Sequence, residues 1–200
     1  MAARVSNRRG DGELLRAQLL EAATTLLLAP RSIEPPSLRA VARASGVAPS
    51  AVYLHFRSQA DLVATVVAAQ YEELRQALDA ADDAAADPGG RLALLADAYV
   101  TWGLAHPGAY QLLFESADVL APAAPGGPGE GPGVDLLDRV AQLVDRAGTS
   151  TAPGPQVALQ IWAALHGLVS LRLHKQEAPW LNDAVGDTRR IVAALQGVRP

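Results

Sequence analysis

Cysteine is absent from this chain of 200 residues, so disulfide bonds, thiolate metal ligands and a cysteine nucleophile are all excluded. Aromatic side chains are scarce as well, at 4% of the residues. Half of the residues are hydrophobic, and alanine and leucine supply most of that half. This composition favours helices, and no alternating apolar pattern predicts a β-strand, so we predict an all-α fold.

Long apolar runs are also lacking. No window holds the roughly 18 uninterrupted apolar residues of a membrane-spanning helix. Arg4, Arg8 and Arg9 lie near the N-terminus, but the apolar segment of a secretory signal does not follow them. The absence of cysteine is compatible with a reducing compartment. We therefore expect a cytoplasmic protein without a membrane partner.

Motifs for catalysis are missing too. The four histidines, at 55, 106, 166 and 174, include no pair four residues apart that could bind a metal on one helix. There is no Gly-x-Ser-x-Gly elbow. The glycine-rich segment at 126–133 contains prolines and no lysine, unlike a phosphate-binding loop. We expect neither catalysis nor a bound cofactor or metal.

Charge is unevenly distributed along the chain, whose formal net charge is −4. Residues 1–70 hold eight basic and five acidic side chains and so carry +3, whereas residues 71–200 hold nine basic and sixteen acidic side chains and carry −7. A basic head is therefore joined to an acidic body. Only the head has the charge expected of a segment that binds nucleic acid.

Apolar residues recur at spacings of three and four along most of the chain, which predicts a succession of helices. The expected helices lie at 11–29, at about 37–45 with Ser37 as the cap, from 49, from 58 to about 85, across 92–106, from 107, at about 134–146, at 156–176 and at 181–195. Residues 121–133 include nine prolines or glycines and show no apolar period, so we predict a mobile loop there.

The second and third helices are separated by a turn of about three residues, which is typical of a helix-turn-helix unit. Ala42 provides the small side chain required where two such helices cross, and Gly46 suits a turn position with φ > 0. Pro49 fits the first turn of the third helix, because its missing N–H would have no partner there. An ordinary helical hairpin would fit these residues as well.

The segment PSLRAVARASGVAPSAVYLHFRSQADL at 36–62 resembles the N-terminal domain of the TetR family of bacterial transcriptional regulators. The resemblance covers about residues 14–70. With it, we expect a flexible basic arm at 1–10, a DNA-binding domain at 11–57, and a helical ligand-binding and dimerisation domain at 58–200. The matching positions are Val41, Ala42, Gly46, Val47, Tyr53, His55, Phe56 and Leu62.

The resemblance implies a homodimer that binds a pseudo-palindromic double-stranded DNA operator. The second helix would lie across the phosphate backbone, and the third would enter the major groove. Tyr53 and His55 could instead belong to the three-helix core, and Phe56 is expected to do so. The implied DNA-contacting residues are Ser37, Arg39, Pro49, Ser50, Ala51, Tyr53, Leu54, His55, Arg57 and Gln59.

Two positions depart from the family pattern. Gln59 stands where the family often has lysine, and Ala51 stands where it often has threonine. Direct base readout is consequently poor, because Ser50 can hydrogen-bond while Ala51 and Leu54 offer only apolar contacts, such as one with a thymine methyl. The N-terminal arginines could compensate by reaching the minor groove or phosphates, or they could form a solvated tail.

The body carries its aromatic side chains and three of the histidines on a few helices. Brought together, these side chains would form a cavity with apolar walls and a few polar groups, which suits a small apolar or amphipathic effector. Ordinary core packing is the competing interpretation for each of them. The candidates are Tyr99, Trp102, His106, Tyr110, Phe114, Trp162 and His166.

WAALHGLVSL at 162–171, preceded by AHPGAYQLLF at 105–114, resembles the C-terminal domain of a TetR subgroup with a Trp-x-x-x-His-Gly signature. This resemblance implies nine helices, an effector site between the fifth, seventh and eighth, and dimerisation through the last two. Gly167 would allow close approach of a neighbouring helix or of the partner subunit. We predict a ligand-responsive homodimeric repressor; the alternative is an all-helical scaffold protein without a ligand.

Overall fold

The structure is a computed structural model that describes residues 11–28, 35–84, 87–115, 132–148 and 150–197. Within these ranges the chain forms nine α-helices and no strand, which confirms the predicted all-α fold. None of the described helices combines the length and apolarity needed to span a membrane. The helices are α1 (Asp11–Leu27), α2 (Leu38–Ala44), α3 (Pro49–Val52), α4 (Gln59–Asp83), α5 (Pro88–Ala105), α6 (Pro107–Tyr110), α7 (Pro132–Ala147), α8 (Gly154–His174) and α9 (Ala184–Leu195).

The described residues fall into two compact units. The first contains the residues up to Ala69 together with a π-helical segment, Gln111–Glu115, and the second contains Gln70–Tyr110 together with the residues from 132 onward. The division between the two units lies inside α4. The first turns of α4 cluster with the helix-turn-helix rather than with the body, so α4 contributes to both units.

Apolar helix faces build the core of the first unit. Helix α1 packs on α2, and α2 packs on α3. Val41 and Ala42 are buried on α2, while Val52 and Phe56 are buried on α3 and just after it. Full burial of side chains as large as valine or phenylalanine contributes about 1.5–3 kcal/mol each. The other buried apolar residues from α1 to the start of α4 are Leu19, Ala23, Leu27, Leu38, Leu62, Val63, Val66 and Val67.

Gly46 forms the turn between α2 and α3 with φ at 67°, which confirms the predicted left-handed position. A residue with a Cβ would lose roughly 1–2 kcal/mol in this conformation. The Gly46 N–H donates to the Arg43 carbonyl at 3.2 Å, and the Val47 N–H donates to the Ala42 carbonyl at 2.9 Å. These bonds close α2 and let the chain restart at Pro49, the first residue of α3.

The start of α4 is capped by its own side chains. The Ser58 hydroxyl accepts a hydrogen bond from the Asp61 N–H at 3.1 Å. The Asp61 carboxylate accepts in turn from the Arg57 N–H at 2.9 Å, one residue further back than in an ideal capping box. Hydrogen bonds of the Ser58 and Asp61 side chains therefore stabilise the first turn of α4.

Four helices of the second unit, α5, α7, α8 and α9, pack together, and α5 and α8 each contact the other three. Two arginines add ion pairs to this packing. Arg139 of α7 lies 2.7 Å from carboxylate oxygens of both Asp79 and Asp82 on α4, and Arg189 of α9 lies 2.9 Å from Asp97 on α5. The large aliphatic residues that are fully buried in this unit are Leu92, Val100, Val144, Val157 and Val169.

The predicted loop at 121–133 lies largely outside the described residues. Its last two residues, Pro132 and Gly133, already belong to α7, so the predicted helix start at 134 was two residues late. The physical reason is that proline is well tolerated in the first turn of a helix, where its missing N–H leaves no bond unmade.

Candidate functional site

Helix α2 presents two arginines to solvent. Ser37 is the N-cap of this helix, and its hydroxyl accepts a hydrogen bond from the Ala40 N–H at 3.2 Å, which confirms the predicted cap. Arg39 and Arg43 are exposed on the outer face. They supply the positive charge that a segment crossing a phosphate backbone requires.

Helix α3 is a single turn anchored by its apolar side. Val52 and Phe56 are 0% and 1% exposed, respectively. Arg16 of α1 places its guanidinium 5.3 Å from the centre of the Phe56 ring and covers this anchor from outside. Sequence reasoning missed Arg16, because nothing in the spacing of α1 links it to a ring forty positions later.

The side chains that α3 and the following turn direct outward form the recognition surface, defined as Pro49, Ser50, Tyr53, Leu54 and Arg57. Tyr53 is 56% exposed and Leu54 is 83% exposed, so neither belongs to the core. The Arg57 side chain is 93% exposed. The recognition surface therefore displays the hydroxyls of Ser50 and Tyr53, the apolar side chain of Leu54 and the guanidinium of Arg57.

Ala51 and His55 are only half-buried, between the recognition surface and the core. The imidazole Cε1 of His55 lies 4.0 Å from the position that a Cβ at Gly12 would occupy, beside the start of α1. His55 thus keeps an accessible edge while it packs against another helix. His55 therefore lies neither on the outermost surface nor fully in the core.

Gln59 has a role that the sequence did not reveal. Its side-chain amide donates to the carbonyl oxygen of Pro35 at 2.7 Å and to that of Pro36 at 3.3 Å. These two carbonyls immediately precede the Ser37 cap of α2. Gln59 consequently fixes the entry of α2, and its amide N–H groups are engaged within the chain rather than displayed.

We expect Gln59→Leu to lower the thermal stability of the first unit, because the carbonyl groups of Pro35 and Pro36 lose their donor. A hydrogen bond of this kind contributes about 0.5–1.5 kcal/mol. Operator affinity should fall several-fold as well, since α2 loses its support. Thermal unfolding followed by circular dichroism and fluorescence anisotropy on a DNA duplex would measure both. Gln18→Leu, an exposed glutamine of α1, is the matched control; equal effects of the two variants would contradict the role of Gln59.

Within the second unit, four of the candidate side chains come together as an aromatic cluster, defined as Tyr99, Tyr110, Trp162 and His166. The hydroxyls of Tyr99 and Tyr110 lie 3.1 Å apart, and their rings meet edge to face at 6.0 Å. The Tyr110 hydroxyl lies 2.7 Å from Nδ1 of His166, and these two rings stack at 5.6 Å. The cluster therefore links α5, α6 and α8 through a chain of polar atoms inside an apolar core.

Burial differs across the aromatic cluster. Tyr110 is 0% exposed and Tyr99 is 4% exposed, whereas Trp162 is 36% exposed and His166 is half-buried. Burial raises the pKa of Tyr99 to about 12, although hydrogen bonds with Tyr110 and Trp162 act in the opposite direction. Tyr99 is therefore a neutral phenol at physiological pH. At one end of the cluster the two tyrosines are buried, and at the other end Trp162 is partly exposed to solvent.

The remaining candidates lie elsewhere. Trp102 is buried, and His106 stacks on it at 5.1 Å while its Nδ1 lies 2.9 Å from the Trp102 carbonyl oxygen. His106 thereby closes the C-terminus of α5, and its ring is exposed. Phe114 is half-buried in the π-helical segment, which belongs to the first unit. No described group of three or more acidic or histidine side chains has the arrangement of a metal site.

Gly103 of α5 lets the Tyr110 ring pack directly against the backbone of this helix. A Cβ at this position would lie 2.8 Å from Cδ2 of Tyr110 and 3.0 Å from Cγ1 of Val169. Both neighbours are fully buried, so neither can move far. Only glycine lets the helix backbone approach the cluster this closely.

We expect Gly103→Ala to lower the melting temperature of the second unit. Overpacking costs about 1–3 kcal/mol, which exceeds the roughly 1 kcal/mol gained when alanine replaces glycine in a helix. Gly12→Ala is the matched control, because a Cβ there would come no closer than 4.0 Å to His55 Cε1. Calorimetry of both variants tests the contact; a rise in melting temperature for Gly103→Ala would contradict it.

An apolar stripe runs along the outer side of α8. Leu159, Ala163, Gly167 and Leu171 recur every four residues, and Leu159 and Leu171 are 53% and 52% exposed. A Cβ at Gly167 would meet no described atom within 4 Å. The predicted close approach of a helix of the same chain at Gly167 is therefore wrong for the described residues.

Matches to known families cover both parts of the chain. Residues 19–66 match the family model described as bacterial regulatory proteins, tetR family. Residues 92–195 match the model described as tetracyclin repressor-like, C-terminal domain. The chain belongs to the TetR family. This TetR-family protein is accordingly a DNA-binding transcription regulator, with an N-terminal helix-turn-helix and a C-terminal helical domain.

Solved structures share the TetR fold over nearly the whole length of this chain. A TetR-like transcriptional regulator from Rhodococcus sp. RHA1 is 17% identical with a TM-score of 0.72, and the match covers 96% of this chain and 100% of that one. A TetR family transcription regulator from Marinobacter aquaeolei VT8 is 14% identical with a TM-score of 0.69, covering 94% and 98%. The fatty acid degradation regulator FadR from Bacillus halodurans is 14% identical with a TM-score of 0.69, covering 96% and 97%.

Proposed function

We propose that this TetR-family regulator is a ligand-responsive homodimeric repressor of a pseudo-palindromic operator. The observation that carries the proposal is the recognition surface, which exposes Tyr53, Leu54 and Arg57 while Val52 and Phe56 anchor it from behind. In a dimer, two such surfaces would enter successive major grooves about 34–36 Å apart. The DNA-contacting residues are then Ser37, Arg39, Pro49, Ser50, Ala51, Tyr53, Leu54, His55 and Arg57, with Gln59 in support.

The domain roles follow from this proposal. Residues 11–57 hold the DNA-contacting side chains, and residues 58–200 serve ligand binding and dimerisation. The arginine arm at 1–10 lies outside the described residues, and minor-groove contact by it stays a prediction. Because a transcription regulator acts where the DNA is, the proposed location is the cytoplasm.

Dimerisation through α8 and α9 is supported by the apolar stripe on α8. Two exposed leucines about three helical turns apart, with an alanine and a glycine between them, suit packing against a second helix. In a two-fold dimer the same stripe would face its own copy. Helices α8 and α9 also pack on each other, so a single dimer interface would include residues of both.

The aromatic cluster is the proposed effector site. It offers an apolar surround with a few polar atoms, as a small apolar or amphipathic ligand requires. Trp162 and His166 give it a partly open edge. We propose that these residues mark the subgroup with the Trp-x-x-x-His-Gly signature. The other members of the cluster are Tyr99 and Tyr110, while Trp102, His106 and Phe114 stay effector candidates from the sequence alone.

Helix α4 is the proposed route of the response. It is continuous from Gln59 to Asp83 and contributes residues to both units. Arg139 holds its far end to α7 through two carboxylates. An effector that favours one position of α4 would change operator affinity, and a coupling of about 1–3 kcal/mol is ordinary for such a response.

Selection of bound duplexes from a random DNA library by the full-length chain tests the proposal. A two-fold-related motif should be enriched, and its affinity should fall steeply with salt because arginines displace counterions from phosphates. Gel filtration of the selected complex should show two chains per duplex. If no motif is enriched, an all-helical scaffold function replaces the operator-binding one.

A further inference from the structure

Leu54 is the most exposed of the large apolar side chains described in the first unit, at 83%. A single exposed leucine is ordinary on a protein surface. This one, however, belongs to the recognition surface and lies in the sequence between the exposed Tyr53 and the half-buried His55. Its N–H donates to the Ala51 carbonyl at 3.3 Å, so the turn that carries it is closed by the backbone.

The groups around Leu54 are poorly equipped to identify a base by hydrogen bonds. The strongest major-groove contacts are bidentate and come from Arg, Lys, Asn or Gln. Residues 49–55 contain none of these types, and Arg57, the one such side chain on the recognition surface, comes after the buried Phe56. The nearest amide side chain, Gln59, already donates to two backbone carbonyls. Hydroxyls on Ser50 and Tyr53 are therefore the only side-chain hydroxyl or amide donors that the recognition surface displays.

We propose that Leu54 contacts the 5-methyl group of a thymine in each operator half-site and is the chief base-specific residue of this regulator. The inference rests on the proposed operator-binding function. The thymine methyl is the one apolar group on the major-groove edge of any base pair. Leu54 fits it better than Ala51, because Ala51 is half-buried and its side chain is too short to project as far.

The size of the effect follows from the surface that the contact removes from water. Burying one methyl-sized group is expected to raise affinity about fourfold. Two symmetric half-sites should therefore give a factor on the order of fifteenfold between thymine and uracil, which differs from thymine only by that methyl. The same comparison leaves every hydrogen-bonding group of the base pair in place.

The experiment uses the full-length chain and the duplex selected above. Each thymine of the duplex is replaced in turn, in both half-sites, by deoxyuridine, and affinities are measured by fluorescence anisotropy for the wild-type chain and for Leu54→Ala. We expect one symmetric position at which deoxyuridine weakens wild-type binding by on the order of fifteenfold. Leu54→Ala should lose most of that discrimination, so the two changes should not be additive.

Leu14→Ala is the matched control, because Leu14 is also an exposed leucine of the first unit, at 62%, and lies on α1. This variant should keep the wild-type discrimination between thymine and uracil. Since Leu54 and Leu14 are both exposed, both variants are expected to fold, which circular dichroism verifies.

Three outcomes would overturn the inference, and they can be told apart. If deoxyuridine weakens binding at no position of the selected motif, Leu54 does not contact a thymine methyl. A sensitive position that Leu54→Ala leaves unchanged assigns the contact to another residue. Failure to select any motif contradicts operator binding itself, and the inference falls with it.

Discussion

Tyr53→Ala should weaken operator binding on the order of a hundredfold while the dimer stays folded. Tyr53 is 56% exposed on the recognition surface, where its hydroxyl can donate to a phosphate. Hydrogen bonds to charged groups contribute about 1.5–3 kcal/mol each, and a dimer makes the contact twice. Anisotropy titration on the selected duplex measures the loss.

Tyr53→Phe separates the hydroxyl from the ring. Because this variant removes one oxygen and keeps the ring, it should show most of the loss if the hydroxyl binds phosphate, and little loss if the ring contacts sugar or base. Thermal unfolding should change little in either variant, since substitutions of exposed side chains usually stay within about 0.5 kcal/mol. Unchanged affinity of Tyr53→Ala would exclude the turn after α3 from the DNA interface.

Leu171→Glu should convert the dimer to monomers and abolish binding to the full operator. Leu171 is 52% exposed on the apolar stripe of α8, so the monomer tolerates a carboxylate there. In a dimer the same carboxylate would be buried without a partner, at a cost of several kcal/mol, and two-fold symmetry would bury it twice. The dimer dissociation constant should rise on the order of a thousandfold or more. Sedimentation or light scattering at micromolar concentration measures the change.

Two further variants sharpen the test of the stripe. Leu159→Glu, on the same stripe and 53% exposed, should act like Leu171→Glu. Leu14→Glu places the same charge on an exposed leucine of the other unit and should leave the dimer intact. Dimers that persist in both α8 variants would move the interface away from this face.

Local features of the helix-turn-helix could be predicted because each depends on residues a few positions apart. The Ser37 cap reaches the N–H three residues ahead, and Gly46 takes its positive φ to close one turn. Pro49 begins α3 because its missing N–H would have no partner in the first helical turn. Such features follow from backbone sterics and short-range hydrogen bonds, so sequence spacing alone determines them.

Contacts between distant residues could not be predicted in the same way. Gln59 was expected to face DNA, yet its amide binds carbonyls more than twenty residues earlier in the chain. The Tyr110 hydroxyl likewise lies 2.7 Å from Nδ1 of His166, a residue 56 positions later in the chain. In both cases the partner lies nearby only in the folded chain, so spacing along the sequence does not reveal it.

By itself, the sequence determined the all-α fold, the helix-turn-helix with its caps and turn, and membership in the TetR family. The fold and the helix-turn-helix rest on apolar periodicity and on side chains that act within one or two helical turns, whereas family membership rests on the resemblance of residues 36–62 and on the matches to family models. Only the tertiary structure decided that Tyr53 and Leu54 face solvent, that Tyr110 joins Tyr99 to His166, and that no described neighbour covers Gly167. Exposure and long-range pairing depend on how helices pack, and packing is a property of the whole chain rather than of any one segment.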